Sequence, residues 1–253
     1  MSDDFPTSVP APFALCIREE IPSTNDDARL LAERGAAGGT VVIAKKQTAG
    51  RGRRGADWFA DPEGALAFSV VIRPGEPKAL WPRLALAAGL AVAEAVETRV
   101  PLAGIKWPND VWISGRKVAG ILVEAGADFA VVGVGVNLNV GGFPGELAEI
   151  ATSVGREAGA AVHRGEFLSE LLRRFAFRSG QIGGGFGELL DAVRQRCVLT
   201  GRDVELTTYQ GRTRGRAEGI GPGGELLLRT VAGIERIIQA DEVRLSDVPP
   251  KVR

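Results

Sequence analysis

The run Phe129-Ala-Val-Val-Gly-Val-Gly-Val-Asn-Leu138 constrains the fold of this chain more than any other stretch. Its apolar, largely β-branched residues read as a strand. Gly133 and Gly135 lie two apart, so they share one face and leave room there for something close to the backbone. Such a strand needs neighbours, and the chain supplies them. Leu15–Glu19, Thr40–Lys45, Leu66–Arg73, Gly104–Trp107, Val111–Ile113 and Lys117–Glu124 are strand candidates. Helical patterns run from Ser23 through Arg34 and over Leu80–Thr98 between them, and over Gly165–Gln181 and Phe186–Arg196 after the last strand. Residues 1–13 read as an irregular arm, Gly141–Gly145 is a loop, and Ala148–Gly155 carries no clear pattern. The elements indicate an α/β (α+β) fold. Beyond 198 the pattern changes to short strands at Asp203–Thr208, Arg212–Ile220, Glu225–Arg229 and Ile234–Gln239, separated by turns such as Gly221-Pro222-Gly223-Gly224. Their regular spacing predicts a small β-barrel, and a division into residues 1–198 and 199–253.

The totals exclude several function classes. With 31 basic and 31 acidic residues among 253, the chain lacks the basic excess of a general nucleic-acid binder. Cys16 and Cys197 lie too far apart in sequence for a CxxC metal site or a disulfide framework. His163 is the sole histidine, without a nucleophile-elbow motif, and reads as a surface residue. The N-terminus has no signal-peptide pattern and no apolar run is long enough to span a bilayer, so a cytoplasmic protein without a membrane partner is expected.

Chemistry concentrates in three stretches. The first is Gln47-Thr48-Ala49-Gly50-Arg51-Gly52-Arg53-Arg54-Gly55-Ala56-Asp57-Trp58. Glycines permit positive φ and close approach to a ligand, and arginines match phosphate and carboxylate oxygens. Gly50–Gly55 fits GxGxxG, but a loop follows where a dinucleotide fold needs a helix, and about 20 positions on the chain reaches Arg73 rather than an acid. It also has P-loop spacing, yet Ala56-Asp57 replaces the required Lys-Ser/Thr. The second stretch is Lys106-Trp107-Pro108-Asn109-Asp110, with amide and carboxylate at a turn. The third is Lys117-Val-Ala-Gly120-Ile-Leu-Val-Glu124, a lysine leading into an apolar strand. Upstream, Ser23 with Asp26 resembles a capping box, and a helix N-terminus is also where ligands often bind.

Taken in order, Ser23-Thr24-Asn25, Gln47 with Gly50–Gly55 and Trp58, Lys106–Asp110 and Lys117–Glu124 resemble the catalytic core of biotin protein ligases. The resemblance runs from about residue 20 to the C-terminus. It implies a mixed-sheet catalytic domain followed by a small SH3-like barrel. It implies a two-step reaction, in which ATP and biotin give biotinyl-5′-adenylate and pyrophosphate. The biotinyl group then passes to one lysine of a biotin carboxyl carrier protein or domain, as in acetyl-CoA carboxylase.

By that resemblance Lys117, Arg51 and Arg53 are catalytic. Ser23, Thr24, Asn25, Gln47, Gly50, Arg51, Gly52, Arg53, Lys117 and Gly120 bind biotin. Arg51, Arg53, Arg54, Trp58, Asn109 and Lys117 hold ATP or the adenylate, although Trp58 is equally readable as a buried structural residue. Asp110 orients or deprotonates the acceptor lysine, or else fixes the turn. Mg²⁺ offsets the triphosphate charge without a fixed protein site. No nucleic-acid partner is implied: only about twenty residues precede Ser23, too few for the DNA-binding domain of bifunctional relatives. A homodimer is compatible with the reading. The loop departs from its relatives at Ala56-Asp57, where a basic residue is frequent. Two alternatives stay open: a lipoate or octanoate ligase or transferase on the same fold, and a non-catalytic biotin-binding effector protein.

Overall fold

The structure, a computed structural model, describes residues 4–246 except residue 210. The first three residues of the expected arm and the last seven of the C-terminal segment lie outside the described residues. The larger unit is a seven-stranded sheet built from β1 (Ala14–Ile21), β2 (Thr40–Gln47), β3 (Ala65–Ile72), β4 (Gly104–Lys106), β5 (Asp110–Ile113), β6 (Arg116–Ala125) and β7 (Ala130–Asn137). Their order is β1-β2-β3-β7-β6-β5-β4. Only β1 and β2 pair in parallel; every other pair is antiparallel. The sheet is therefore mixed, as the resemblance implied.

The Phe129–Leu138 run lies at the sheet's centre as β7, and all eight strand residues are buried. Both faces of this strand are covered, which explains an unbroken apolar sequence where alternation would mark a half-exposed strand. On one face α1 (Thr24–Glu33) lies over β2, β3 and β7. On the other lies α2 (Arg83–Val96), the alanine- and leucine-rich helix. It is buried almost all round because α5 (Arg164–Ser179) and α6 (Phe186–Arg196) cover its outer side. The small residues Ala87, Ala88, Ala91 and Ala95 let these helices approach closely. The stretch without a clear pattern holds two short helices, α3 (Leu147–Ile150) and α4 (Val154–Ala158).

The hairpin between β5 and β6 turns on Ser114 and Gly115, with φ of 51° and 78°. Both are left-handed, the conformation a tight two-residue hairpin requires. His163 is exposed and caps α5, its Nδ1 accepting from the Glu166 amide at 3.4 Å. Ser23 is at the N-cap of α1, but its side chain makes no capping bond, so the expected capping box is not formed. The hydroxyl is instead buried beside the site described below.

The second sheet contains β8 (Asp203–Thr208), β9 (Gly211–Ile220), β10 (Leu226–Thr230), β11 (Gly233–Ile237) and β12 (Glu242–Leu245), in the order β11-β10-β9-β8-β12. The expected small β unit is present with one strand more than the pattern revealed. Its hydrogen-bonded order leaves β11 and β12 at two edges, so a closed barrel is not formed by the described pairings. The two sheets share one continuous core: Leu199, Val204, Leu206 and Leu226 belong to the same buried cluster as Leu90 and Ile105. Trp107 fastens the junction, its indole Nε1 donating to Gly224 O at 2.9 Å.

Candidate active site

A cavity of about 500 Å³ opens on the α1 face of the large sheet, within the range of small-molecule sites. Its floor is the backbone of Gly120, Gly133 and Gly135, on β6 and β7. A methyl group at Gly133 would overlap the Asn25 side chain, and one at Gly135 would overlap the Trp58 indole. The two glycines thus make the room on one face that the sequence pointed to.

One end of the cavity is a polar cradle at the start of α1. Ser23, Thr24 and Asn25 are all buried. The Thr24 amide donates to Gln47 Oε1 at 2.8 Å. Asn25 Nδ2 donates to Glu124 Oε2 at 2.7 Å. Ser69, fully buried on β3, donates to Asn25 Oδ1 at 2.6 Å and lies 2.8 Å from Thr24 Oγ1. Gln47 and Thr24 are 23 positions apart in sequence, and the parallel pairing of β1 with β2 brings them together. Ser69 was missed by the sequence reading, and Glu124, quoted at the end of the third motif, was given no role. The signal for Ser69 was there: it is the one polar residue in Ala-Leu-Ala-Phe-Ser-Val-Val-Ile, and a buried hydroxyl needs a partner.

The glycine- and arginine-rich loop closes over the cavity. Trp58 N donates to Gly50 O at 2.9 Å, and Gly52 N donates to Ala56 O at 2.6 Å, so the loop is a hairpin stitched across its own base. Gly50 is needed for close approach, since a Cβ there would lie 2.8 Å from Trp58 O. Gly55 is needed for its φ of 75°, which follows a left-handed Arg54. The three arginines diverge. Arg51 turns to Asp26 and Glu124 on the sheet side. Arg53 donates to Asn109 Oδ1 at 3.2 Å and to Ala240 O at 2.8 Å. Arg54 pairs with Asp241 beside β12, outside the cavity lining. Burial pulls the Arg53 guanidinium below its ordinary value, against the opposing pull of Asp110 and Asp241.

At the other end, the second and third motifs meet. Asp110 on β5 lies opposite Gly120 on β6, and Lys117 Nζ reaches Asp110 Oδ1 at 2.7 Å. The Lys117 ammonium is 5.5 Å from the centre of the Trp58 ring, a cation–π distance. Asn109 ties the turn to β6, with Nδ2 donating to Ile121 O at 3.0 Å. Both ends of its amide are therefore engaged, and it supports Arg53. Trp58 rests on the glycine floor, and its indole Nε1 is buried without a hydrogen-bond partner among the described residues. The Trp112 indole, also lining the cavity, has the same orphaned donor. Unpaired buried donors in a cavity suit a ligand rich in acceptors.

The arrangement places a polar cradle, backed by Glu124 and Arg51, at one end of the cavity and Arg53, Lys106 and Lys117 toward the other. The geometry suits a molecule with a polar head, an apolar middle and an anionic tail. The biotin/lipoate A/B protein ligase family profile matches residues 18–139. A biotin–[acetyl-CoA-carboxylase] ligase from Paracoccus denitrificans is 38% identical over 233 residues, covering 87% of this chain and 96% of that one. A bifunctional ligase/repressor from Bacillus subtilis is 35% identical over 236 residues, 90% of this chain and 73% of the relative. Among solved structures, the biotin protein ligase of Aquifex aeolicus in complex with biotin and ATP superposes with a TM-score of 0.83 at 32% identity, over 92% of this chain and 99% of that one. The chain belongs to the biotin protein ligase family.

Proposed function

We propose that this protein joins biotin to a lysine of a biotin carboxyl carrier domain, using ATP and passing through biotinyl-5′-adenylate. The observation that carries the reading is the facing of the Thr24–Gln47–Asn25 cradle by the Lys117–Asp110 pair across one glycine-floored cavity. The cradle offers donors and acceptors for the ureido head of biotin. The ring system and side chain run along the cavity from that cradle past Asn25 and Trp58, the two side chains seated on Gly133 and Gly135, with the carboxylate toward Lys117 beside Gly120.

In the first step a biotin carboxylate oxygen attacks the α-phosphorus, and the bond to the β-phosphate breaks with pyrophosphate leaving. Both reactants are anions, so fixed cations aimed at the developing charge lower the barrier. Lys117 serves the carboxylate and α-phosphate, and Arg51 and Arg53 clamp the oxygens from the loop. Gly50 and Gly52 supply backbone approach. Trp58, on the floor, belongs to the nucleotide side; Arg54, paired with Asp241 outside the cavity lining, would have to leave that pair to reach a nucleotide. The closed loop keeps water from the mixed anhydride. In the second step the acceptor amine attacks the acyl carbon and AMP leaves. Asp110 orients that amine, with Lys117 holding its carboxylate in place. Among the described residues no group of three acidic, histidine or cysteine side chains could hold a metal ion, so Mg²⁺ is proposed to arrive on the phosphates and offset their charge. No helix among the described residues is long and apolar enough to cross a membrane.

The test is transfer. The protein, ATP, magnesium and biotin are incubated with a purified biotin carboxyl carrier domain of an acetyl-CoA carboxylase, and the carrier's mass is read. Gain of one biotinyl group on one lysine is expected. A carrier whose mass is unchanged while the adenylate forms would remove the second step from the proposal.

A further inference from the structure

Side chains alternate along a strand, so Lys117, three residues before Gly120, should point to the opposite face of the sheet. It does not. A Cβ built on Gly120 would lie 3.2 Å from both Cε and Nζ of Lys117. The reason is a β-bulge. Asp110 faces Gly120 and Val111 faces Ala119, but Trp112 faces Lys117 rather than Val118. Val118 is the extra residue, and it is fully buried in the core. In an unbulged register Lys117 would oppose Ile113 and share a face with Ala119 and Ile121, all three of them core residues. The bulge therefore turns the lysine from the core side of the sheet to the cavity side.

A bulge interrupts the ladder of its own sheet, so it needs support. The segment between α3 and α4 supplies it. Ala151 forms an isolated parallel bridge with Lys117, and Thr152 N donates to Lys117 O at 2.9 Å. Thr152 is fully buried, with each of its polar groups engaged. Its carbonyl accepts from Asn137 Nδ2 at 3.2 Å, and its hydroxyl donates to Glu157 Oε1 at 2.5 Å. Glu157, on α4, also takes the Arg116 guanidinium at 2.6 Å. Arg116 and Lys117, the first two residues of β6, are thus tied to one small polar cluster. Arg116, Thr152 and Glu157 all lie outside the cavity lining.

We propose that Thr152 and Glu157 are positioning residues, which hold the β6 bulge and thereby aim Lys117 at the reacting atoms. The inference rests on the proposed adenylation, with Lys117 as its fixed charge. Neither residue touches substrate, so their whole effect on the reaction passes through Lys117.

The experiment makes Glu157→Ala and Thr152→Val in wild type and again in Lys117→Ala. In the wild-type background a misplaced lysine predicts single-turnover adenylate formation slowed about tenfold to a hundredfold, with calorimetric biotin affinity unchanged. Thr152→Ser, which keeps the hydroxyl, should recover most of the rate. In the Lys117→Ala background either substitution should add no further loss, because groups acting through one residue are not additive. A wild-type rate in the single variants would overturn the proposal, as would the same fold loss repeated without Lys117. Should Glu157→Ala fail to fold, Thr152→Val carries the comparison, since it keeps the side chain's shape and the Arg116–Glu157 pair. A second readout is independent of activity. Acetylation read by mass spectrometry should label Lys117 faster in the variants, relative to the exposed Lys46 on β2, as the lysine leaves Asp110. An unchanged ratio contradicts the proposal. A wild type that releases no pyrophosphate from ATP and biotin would remove the adenylation reading, whereas the labelling ratio still reports whether the cluster aims Lys117.

Discussion

Lys117 is held in place by one carboxylate, Asp110, and one aromatic face, Trp58, and both are within the cavity. Removing its charge should leave the cradle standing, because the hydrogen bonds that hold Thr24, Asn25, Gln47 and Ser69 do not involve it. Lys117→Ala is therefore expected to bind biotin with nearly wild-type affinity and to form adenylate about a hundredfold or more slowly, in line with loss of one preorganised charge. Single-turnover adenylate formation beside calorimetric binding separates the two effects. Gly133→Ala tests the other end. The added methyl meets the Asn25 side chain, so overpacking of about 1–3 kcal/mol and weaker biotin binding are expected. Gly142→Ala, where nothing lies within 4 Å, is the control with neither effect. The charged and glycine residues of the site were legible in the sequence because such types are unusual in tight clusters. Ser69 was not, and neither was the contact Glu124 makes, since these pairings span 44 and 99 positions. The capping role suggested for Ser23 is not realised: the residue makes no capping bond and is buried at the cavity lining.

The loop and α2 show what an element contributes as a unit. The Gly50–Trp58 hairpin carries its own backbone bonds, and Arg53 latches it to Asn109 and to Ala240 in the loop between β11 and β12. Arg53→Gly removes that latch, and the adenylate should escape to solvent faster than from wild type. Filter-trapped or chromatographed free biotinyl-adenylate measures the leak, and release at the wild-type rate would count against a clamp. For α2, Leu90 is fully buried between sheet and helices, so Leu90→Ala should cost about 2–5 kcal/mol in chemical denaturation. Such elements were readable from periodicity: β7, α2 and α6 fall within a few residues of where the pattern put them. β12 was missed because Glu242–Leu245 is four residues long with two charges, and only its pairing with β8 makes it a strand. The closed barrel was not legible either way, since closure depends on how the outermost strands meet.

At the scale of the whole molecule, one core runs through both sheets, and Trp107 joins the catalytic turn to Gly224. The small unit therefore braces one side of the cavity, also through Ala240 and Asp241 in the loop between β11 and β12, which hold Arg53 and Arg54. Trp107→Phe leaves the Gly224 carbonyl without its donor at a cost of about 1–3 kcal/mol. It should lower the midpoint of a single cooperative transition rather than split it in two. The account as a whole depends on the cavity choosing biotin and activating it with ATP. Pyrophosphate release, followed with ATP and magnesium in the presence of biotin, lipoate or octanoate in parallel, tests that most directly. Release stimulated by biotin alone is the predicted result; release with lipoate or octanoate but not with biotin would contradict it.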